Sequence, residues 1–160
     1  MKIDYIDKKF VDFYWDCKKL RTTSINHGFG GGSLPAGYTE QLCREVYNLA
    51  PFNKKNHPGK NLRAKDFDAE KDKELIEIKF NNLITNAVNV NLEKEFDYLY
   101  HTFIDFDNNT YIVRIFKGQD IRNQFGNSGK ISTPIENFSK NLKPTIDNYK
   151  FKEDGLYKVD

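Results

Sequence analysis

The sequence predicts one α/β domain of the α+β type over residues 1–160, with helices flanking a central mixed or antiparallel sheet. Three observations lead to this prediction. Two early segments carry apolar residues at helical spacing, several later segments alternate as strands do, and no repeat divides the chain. Helices followed by a run of strands are typical of a sheet that packs helices against its face. A chain of 160 residues holds one core and leaves little room for a second module.

The two predicted helices come before all the strands. The first covers residues 6–20, where apolar side chains recur at helical spacing. A loop rich in glycine is predicted over residues 21–37. Thr39 then caps a second helix from residues 40 to 49, and Pro51 ends it.

The strands are predicted from alternating apolar residues and from turn-forming residues between them. Residues 81–91 are predicted to be an Asn-rich link, and residues 118–140 a short helical turn followed by a polar loop. The predicted strands are Leu62–Asp68, Leu75–Phe80, Tyr98–Phe106, Tyr111–Phe116 and a final hairpin around Asp154 and Gly155.

Composition limits the possible functions and compartments. The net charge is only +2, so charge alone does not indicate a nucleic-acid-binding protein. Cys17 and Cys43 have no pairing or metal-binding spacing, so we expect reduced, buried thiols. The charged start resembles no signal peptide and no apolar run approaches the length of a membrane span, so we expect a cytoplasmic protein.

A carboxylate and a lysine leave the same side of one predicted strand. Glu77 and Lys79 are two residues apart and share a face, while Ile76 and Ile78 point to the other face. If the preceding strand pairs with this one, Asp68 projects beside Glu77. Two carboxylates can hold Mg²⁺ through oxygen, and a neighbouring ammonium can hold the attacking water or stabilise a developing negative charge.

Asp68 followed by Glu77-Ile78-Lys79 on a strand resembles the active site of the PD-(D/E)xK nucleases, the fold of many restriction endonucleases. The resemblance covers roughly residues 38–116 and implies a restriction-endonuclease-like fold in which Asp68 and Glu77 bind Mg²⁺ and Lys79 assists the water. No proline precedes Asp68, and Asp66 is the alternative ligand. Many family members add a glutamate from the preceding helix. Glu40 is the first candidate for that ligand and Glu45 the second.

The resemblance implies a type II restriction endonuclease that cuts double-stranded DNA at a specific site. One active site per chain makes one cut, so cleavage of a palindrome requires a homodimer. Such an enzyme also implies a cognate DNA methyltransferase in the host. Two alternatives remain open: a junction-resolving or repair nuclease of the same fold, and a non-catalytic binding or immunity-type protein whose charges form a solvated salt-bridge face.

Two polar loops and one basic cluster contain side chains that can bind phosphates or base edges. The alternative for the loops is that they only connect elements. The candidate DNA-binding residues are Arg21, Asn26, His27, Lys54, Lys55, Lys60, Asn123, Gln124, Asn127, Ser128 and Lys130.

Overall fold

The computed structural model describes residues 1–160 and contains a mixed seven-stranded sheet, a separate two-stranded sheet and four α-helices. This architecture confirms the predicted α+β class. The helices are α1 (Lys8–Asn26), α2 (Ala36–Tyr47), α3 (Gly118–Phe125) and α4 (Ile135–Ser139), with a 3₁₀ turn at Lys54–Asn56. The strands are β1 (Ala50–Pro51), β2 (Ala69–Lys71), β3 (Glu74–Asn81), β4 (Ala87–Asn91), β5 (Tyr98–Asp105), β6 (Thr110–Lys117), β7 (Lys130–Pro134), β8 (Thr145–Lys152) and β9 (Gly155–Val159).

The large sheet has the order β1-β2-β3-β5-β6-β8-β9, and β3–β5 is its one parallel pair. Parallel neighbours need a long crossover, here residues 82–97. This crossover contains β4, which leaves the large sheet and pairs antiparallel with β7. The two-stranded sheet therefore joins the crossover to a segment much later in the chain.

The two faces of the large sheet pack against different layers. On the helix face, Ile76 packs with Leu49 and Ala69, and neighbouring strands pack against α1 and α2. On the opposite face, which we call the site face, Leu75 packs with Val88 of β4 and Ile135 of α4. Because side chains alternate along a strand, Glu77 and Lys79 share the site face with Leu75, as the sequence predicts.

Helix α1 extends beyond its predicted end. Residues 21–26 are helical, so the prediction of a loop beginning at Arg21 is wrong. The hydroxyls of Thr22 and Thr23 donate hydrogen bonds to the carbonyls of Lys18 and Lys19, at 3.0 and 3.1 Å, which keeps them compatible with the helix. Arg21 and Asn26 therefore lie on the helix and His27 at its C-cap.

Helix α2 begins and ends earlier than predicted. It starts at Ala36 after Pro35, whose fixed φ suits a helix start. Thr39 is not the cap: it is buried inside the first turn, where its hydroxyl donates to the carbonyl of Ala36 at 3.1 Å. The helix ends at Asn48, which adopts a left-handed conformation with φ 52°. Pro51 does not end the helix, because it lies in β1.

The predicted strand Leu62–Asp68 is wrong, because residues 61–68 form a turn and irregular chain. Asp66 makes that turn: its carboxylate accepts a hydrogen bond from the Arg63 amide at 2.7 Å. The observed strand β2 begins at Ala69, one residue after the end of the predicted strand. The predicted link at 81–91 is partly strand, since it contains β4.

The polar loop predicted within residues 118–140 is also partly wrong. The expected helical turn is α3, but β7 and α4 follow it. Strand β7 pairs with β4, and α4 packs in the same apolar cluster as β4. No local sequence pattern indicates these contacts between distant segments.

The two predicted hairpins are confirmed as β5–β6 and β8–β9. Both cysteines are free thiols. Cys43 is buried, whereas Cys17 is only partly buried. None of the helices combines the length and the apolar character needed to cross a bilayer.

Candidate active site

Asp68 is held against the strand that carries Glu77. The β2–β3 register pairs Ala69 with Ile76, and its continuation by one residue places Asp68 opposite Glu77. The Asp68 carboxylate accepts a hydrogen bond from the Ile78 amide at 2.8 Å, and the Asp68 amide donates to the Ile76 carbonyl at 3.1 Å. These bonds on both sides of residue 77 fix the position of the aspartate.

Glu77 is a buried carboxylate that faces two ammonium groups. Its side chain is only 6% exposed. Oε2 lies 3.9 Å from Lys79 Nζ, and Oε1 lies 3.4 Å from Lys94 Nζ. Burial and, to a smaller extent, the charge of Asp68 raise the pKa of Glu77 to about 6, although the two lysines act in the opposite direction.

Lys94 is the functional candidate that the sequence analysis missed. It lies in the turn between β4 and β5, next to Glu93 and Glu95, where a charged residue is typical of a solvated turn. Its ammonium lies 5.8 Å from the centre of the Phe67 ring. The parallel β3–β5 register places Leu99 opposite Glu77 and the segment before β5 beside the start of β3, from where the long side chain of Lys94 reaches Glu77. Only knowledge of that long-range pairing would have identified Lys94.

Beyond Lys79, a row of polar side chains crosses the site face. The register places His101 of β5 beside Lys79 and Arg114 of β6 beside His101. His101 is fully buried, and its Nε2 lies 2.7 Å from Asn81 Oδ1. Burial, followed by the charge of Arg114, lowers the pKa of His101 to about 4. His101 is therefore a neutral residue of the sheet at pH 7.

The site offers two carboxylates as metal ligands. No three His, Cys, Asp or Glu side chains in residues 1–160 are placed together so that they could hold a metal ion. Asp68 and Glu77 supply hard oxygen donors, which fits Mg²⁺, a cation that commonly takes one or two protein carboxylates and fills its remaining positions with water and phosphate.

The other candidate metal ligands, Glu40, Glu45 and Asp66, bind other partners. Glu40 forms an ion pair with Arg44 on α2, and Arg44 in turn donates to the Asp68 carbonyl at 3.4 Å. Glu40 thus reaches Asp68 only through the arginine. Glu45 accepts a hydrogen bond from the Asp7 amide at 3.4 Å. Asp66 closes its own turn, so of the two aspartates it is Asp68 that lies beside Glu77.

The basic segment that contains Lys54 and Lys55 is anchored next to the site. Glu70 is buried on β2 and shares the site face with Leu75, its cross-strand partner. Its carboxylate accepts hydrogen bonds from the Asn53 amide at 2.6 Å and from Asn56 Nδ2 at 3.1 Å, and lies 3.3 Å from His57 Nε2. The lysine side chains between these anchors are exposed.

The remaining DNA-binding candidates divide between two regions. Exposed residues of the segment from α3 to β7 border the layer that covers the site face. They are Asn123, Gln124, Asn127, Ser128 and Lys130. Lys60 and Asn127 line one polar cleft of about 400 Å³ together with Arg122 and three acidic residues.

The candidate residues from α1 make contacts outside the cluster around Glu77. Arg21 stacks 4.9 Å from the centre of the Phe106 ring and lines a cavity of about 440 Å³ together with Arg114. Asn26 and His27 are exposed at the end of the helix. The structure therefore does not bring these two residues to the candidate site.

No family model, no curated protein and no solved structure matches this chain.

Proposed function

We propose that this protein is a Mg²⁺-dependent endonuclease that hydrolyses phosphodiester bonds of double-stranded DNA at a specific site, as type II restriction enzymes do. One observation carries the proposal. The buried carboxylate of Glu77 lies beside Asp68, whose position is fixed by a hydrogen bond, and its oxygens lie 3.9 Å from Lys79 Nζ and 3.4 Å from Lys94 Nζ. Burying Glu77 costs free energy, so an arrangement that raises its pKa is typical of a functional site.

Asp68 and Glu77 would hold the metal ion. When bound, Mg²⁺ would lower the pKa of a coordinated water and offset the negative charge of the phosphate. The hydrogen bond from the Ile78 amide orients Asp68 before any cation arrives. The partial burial of both carboxylates excludes bulk water, which strengthens each electrostatic interaction in the site.

Lys79 would act on the substrate side of the site. Its side chain is 35% exposed, so the ammonium borders both Glu77 and solvent. In this position it can hold the attacking water or stabilise the negative charge that builds on the oxygens of the scissile phosphate in the transition state. Hydrolysis of a phosphodiester needs such a fixed cation, because the transition state carries more negative charge than the substrate.

The surface around the site would bind DNA. Lys54 and Lys55 are exposed on a segment that Glu70 anchors to the site face, a position suited to phosphate contacts. The polar segment 123–130 borders the same layer and offers groups for base edges. We further propose that two copies act as a homodimer on palindromic DNA, and that a methyltransferase of the same specificity protects the host.

The proposal predicts magnesium-dependent cleavage that requires Lys79. Purified protein is incubated with plasmid and phage DNA in Mg²⁺ or in EDTA, beside Lys79→Met and a control, Lys150→Met, an exposed lysine on β8. We expect discrete fragments in Mg²⁺, none in EDTA, and a loss of about 100-fold or more in Lys79→Met. In Ca²⁺, Lys79→Met should still bind DNA as the wild type does.

Other outcomes would redirect the assignment. A smear, or cleavage of branched junctions alone, would favour the junction-resolving or repair nuclease. No cleavage with any divalent cation would favour a non-catalytic binding or immunity-type protein. Equal cleavage by wild type and Lys79→Met would show that the activity comes from another site or from a contaminant.

A further inference from the structure

Each oxygen of the Glu77 carboxylate has its own lysine. Oε2 faces Lys79 at 3.9 Å, and Oε1 accepts a hydrogen bond from Lys94 at 3.4 Å. The carboxylate is 6% exposed, whereas the Lys94 side chain is 34% exposed. The lysine therefore reaches inward from the surface and partly covers the oxygen that a cation would use.

The charges of this cluster balance without a metal ion. Asp68 and Glu77 carry two negative charges, and Lys79 and Lys94 carry two positive charges. A divalent cation added to the unchanged cluster would leave two uncompensated positive charges in a poorly solvated site, which is costly. Binding of the cation therefore favours the withdrawal of one lysine or the arrival of an anion.

Lys94 is the lysine that is free to withdraw. Lys79 lies inside β3, paired with His101 of β5, and its carbonyl accepts a hydrogen bond from Thr102 at 3.0 Å. Lys94 lies in a turn, where its amide bonds to the Asn91 carbonyl at 3.2 Å and its long side chain meets solvent. Turns rearrange more readily than the middle of a sheet strand.

We propose that Lys94 is an exchangeable counter-ion of the active site. In the metal-free protein it neutralises Glu77. When a divalent cation binds, its ammonium leaves Oε1 and pairs with a phosphate of the DNA strand at the site, restoring the charge balance. The second half of this proposal depends on the proposed nuclease function, whereas the first half depends only on cation binding.

Calorimetric titration of the metal-free protein with MgCl₂ and with MnCl₂ tests the counter-ion role without DNA. Lys94→Met keeps the aliphatic stem that lies near Phe67 but removes the competing charge. We expect it to bind the cation about tenfold more tightly than the wild type. Lys94→Arg, which keeps the charge, and Lys150→Met should bind as the wild type does. Unchanged or weaker binding by Lys94→Met would overturn the counter-ion role.

Single-turnover cleavage at saturating Mg²⁺ tests the phosphate role. We expect Lys94→Met to cut about tenfold or more slowly despite its tighter metal binding, and Lys94→Arg to recover most of the rate. Tighter metal binding with an unchanged rate would overturn the phosphate contact. Lys94→Gln replaces Lys94→Met if the latter unfolds by circular dichroism. If the wild type cuts no DNA, the proposed function fails, but the titration still decides the counter-ion role.

Discussion

We expect the ionised Glu77 side chain to make the protein less stable than a neutral residue at this position would. Its pKa rises from 4.5 to about 6 because burial disfavours the charged form more than the two lysines favour it. The folded state thus binds this proton more tightly than the unfolded state. The corresponding stability is present below pH 4.5 and is lost as the pH rises through 6.

Glu77→Gln should therefore raise the free energy of unfolding at pH 7.5 in EDTA, by about 2 kcal/mol. The glutamine keeps the shape of the side chain and removes the buried charge. Urea unfolding followed by circular dichroism at pH 7.5 and pH 4 measures the effect, which should nearly disappear at the lower pH. A variant less stable than the wild type at pH 7.5 would mean that the ion pairs with Lys79 and Lys94 outweigh burial.

The part of the candidate site that lies on one hairpin was predictable from the sequence. Asp68, Glu77 and Lys79 are close in the chain, so their alternation and the acidic reversal between them predict their arrangement. Lys94 could not be found in this way. Its contact with Glu77 depends on the parallel pairing of β3 with β5, which no local pattern in the chain indicates.

At the level of elements, β2 anchors the basic segment through a single side chain. Glu70 is 5% exposed. Burial acts to raise its pKa, but the hydrogen bonds from Asn53 and Asn56 and the nearby His57 ring outweigh burial and lower it. The ionised carboxylate is therefore a strong acceptor that holds the turn at Lys54–Asn56 in place.

Glu70→Ala should lower the free energy of unfolding by about 3 kcal/mol, because it removes the buried carboxylate that accepts the hydrogen bonds of Asn53 and Asn56. The segment should also become a preferred site of trypsin cleavage, at Lys54 or Lys55. Glu74→Ala, an exposed glutamate at the start of β3, is the matched control and should change neither property. Equal trypsin resistance of wild type and Glu70→Ala would show that other contacts hold the segment.

Elements stabilised by local contacts were predictable, and elements stabilised by distant ones were not. The β5–β6 and β8–β9 hairpins follow from alternation around short turns. Strands β4 and β7 are short, and the polar residues Asn89 and Ser132, which lie opposite each other, separate the apolar residues of each strand. They are strands because they pair with each other and cover the apolar part of the site face.

For the whole molecule, two of the buried groups, His101 and Glu77, are expected to make stability depend on pH in opposite directions. The pKa of His101 falls from 6.5 to about 4, so the unfolded state binds its proton more tightly. This contribution is present above pH 6.5 and is lost as the pH falls towards 4. Glu77 contributes in the opposite sense between pH 6 and 4.5.

His101→Gln should remove the larger of these two pH-dependent contributions to stability. Between pH 7 and pH 4, the wild type should lose about 3 kcal/mol more stability than the variant does, since glutamine has no proton to gain. The difference between the two proteins in urea unfolding, measured at several pH values, isolates His101 from Glu77. Parallel plots of stability against pH for the two proteins would mean that folding does not lower the pKa of His101.

The α+β class was predictable because it follows from the order of helices and strands, which is encoded locally. The layer over the site face was not predictable, since it forms from the crossover and from segments after β6.

The pairing of β4 with β7 also sets the order in which a newly made chain can complete the cluster around Glu77. Lys94 lies in the turn that follows β4, and β4 has no strand partner until residues 130–134 have been synthesised. A chain still growing on the ribosome therefore contains Asp68, Glu77 and Lys79 for some time before the turn that carries Lys94 is held in place. Such a chain would lack the fixed lysine that we propose pairs with the phosphate.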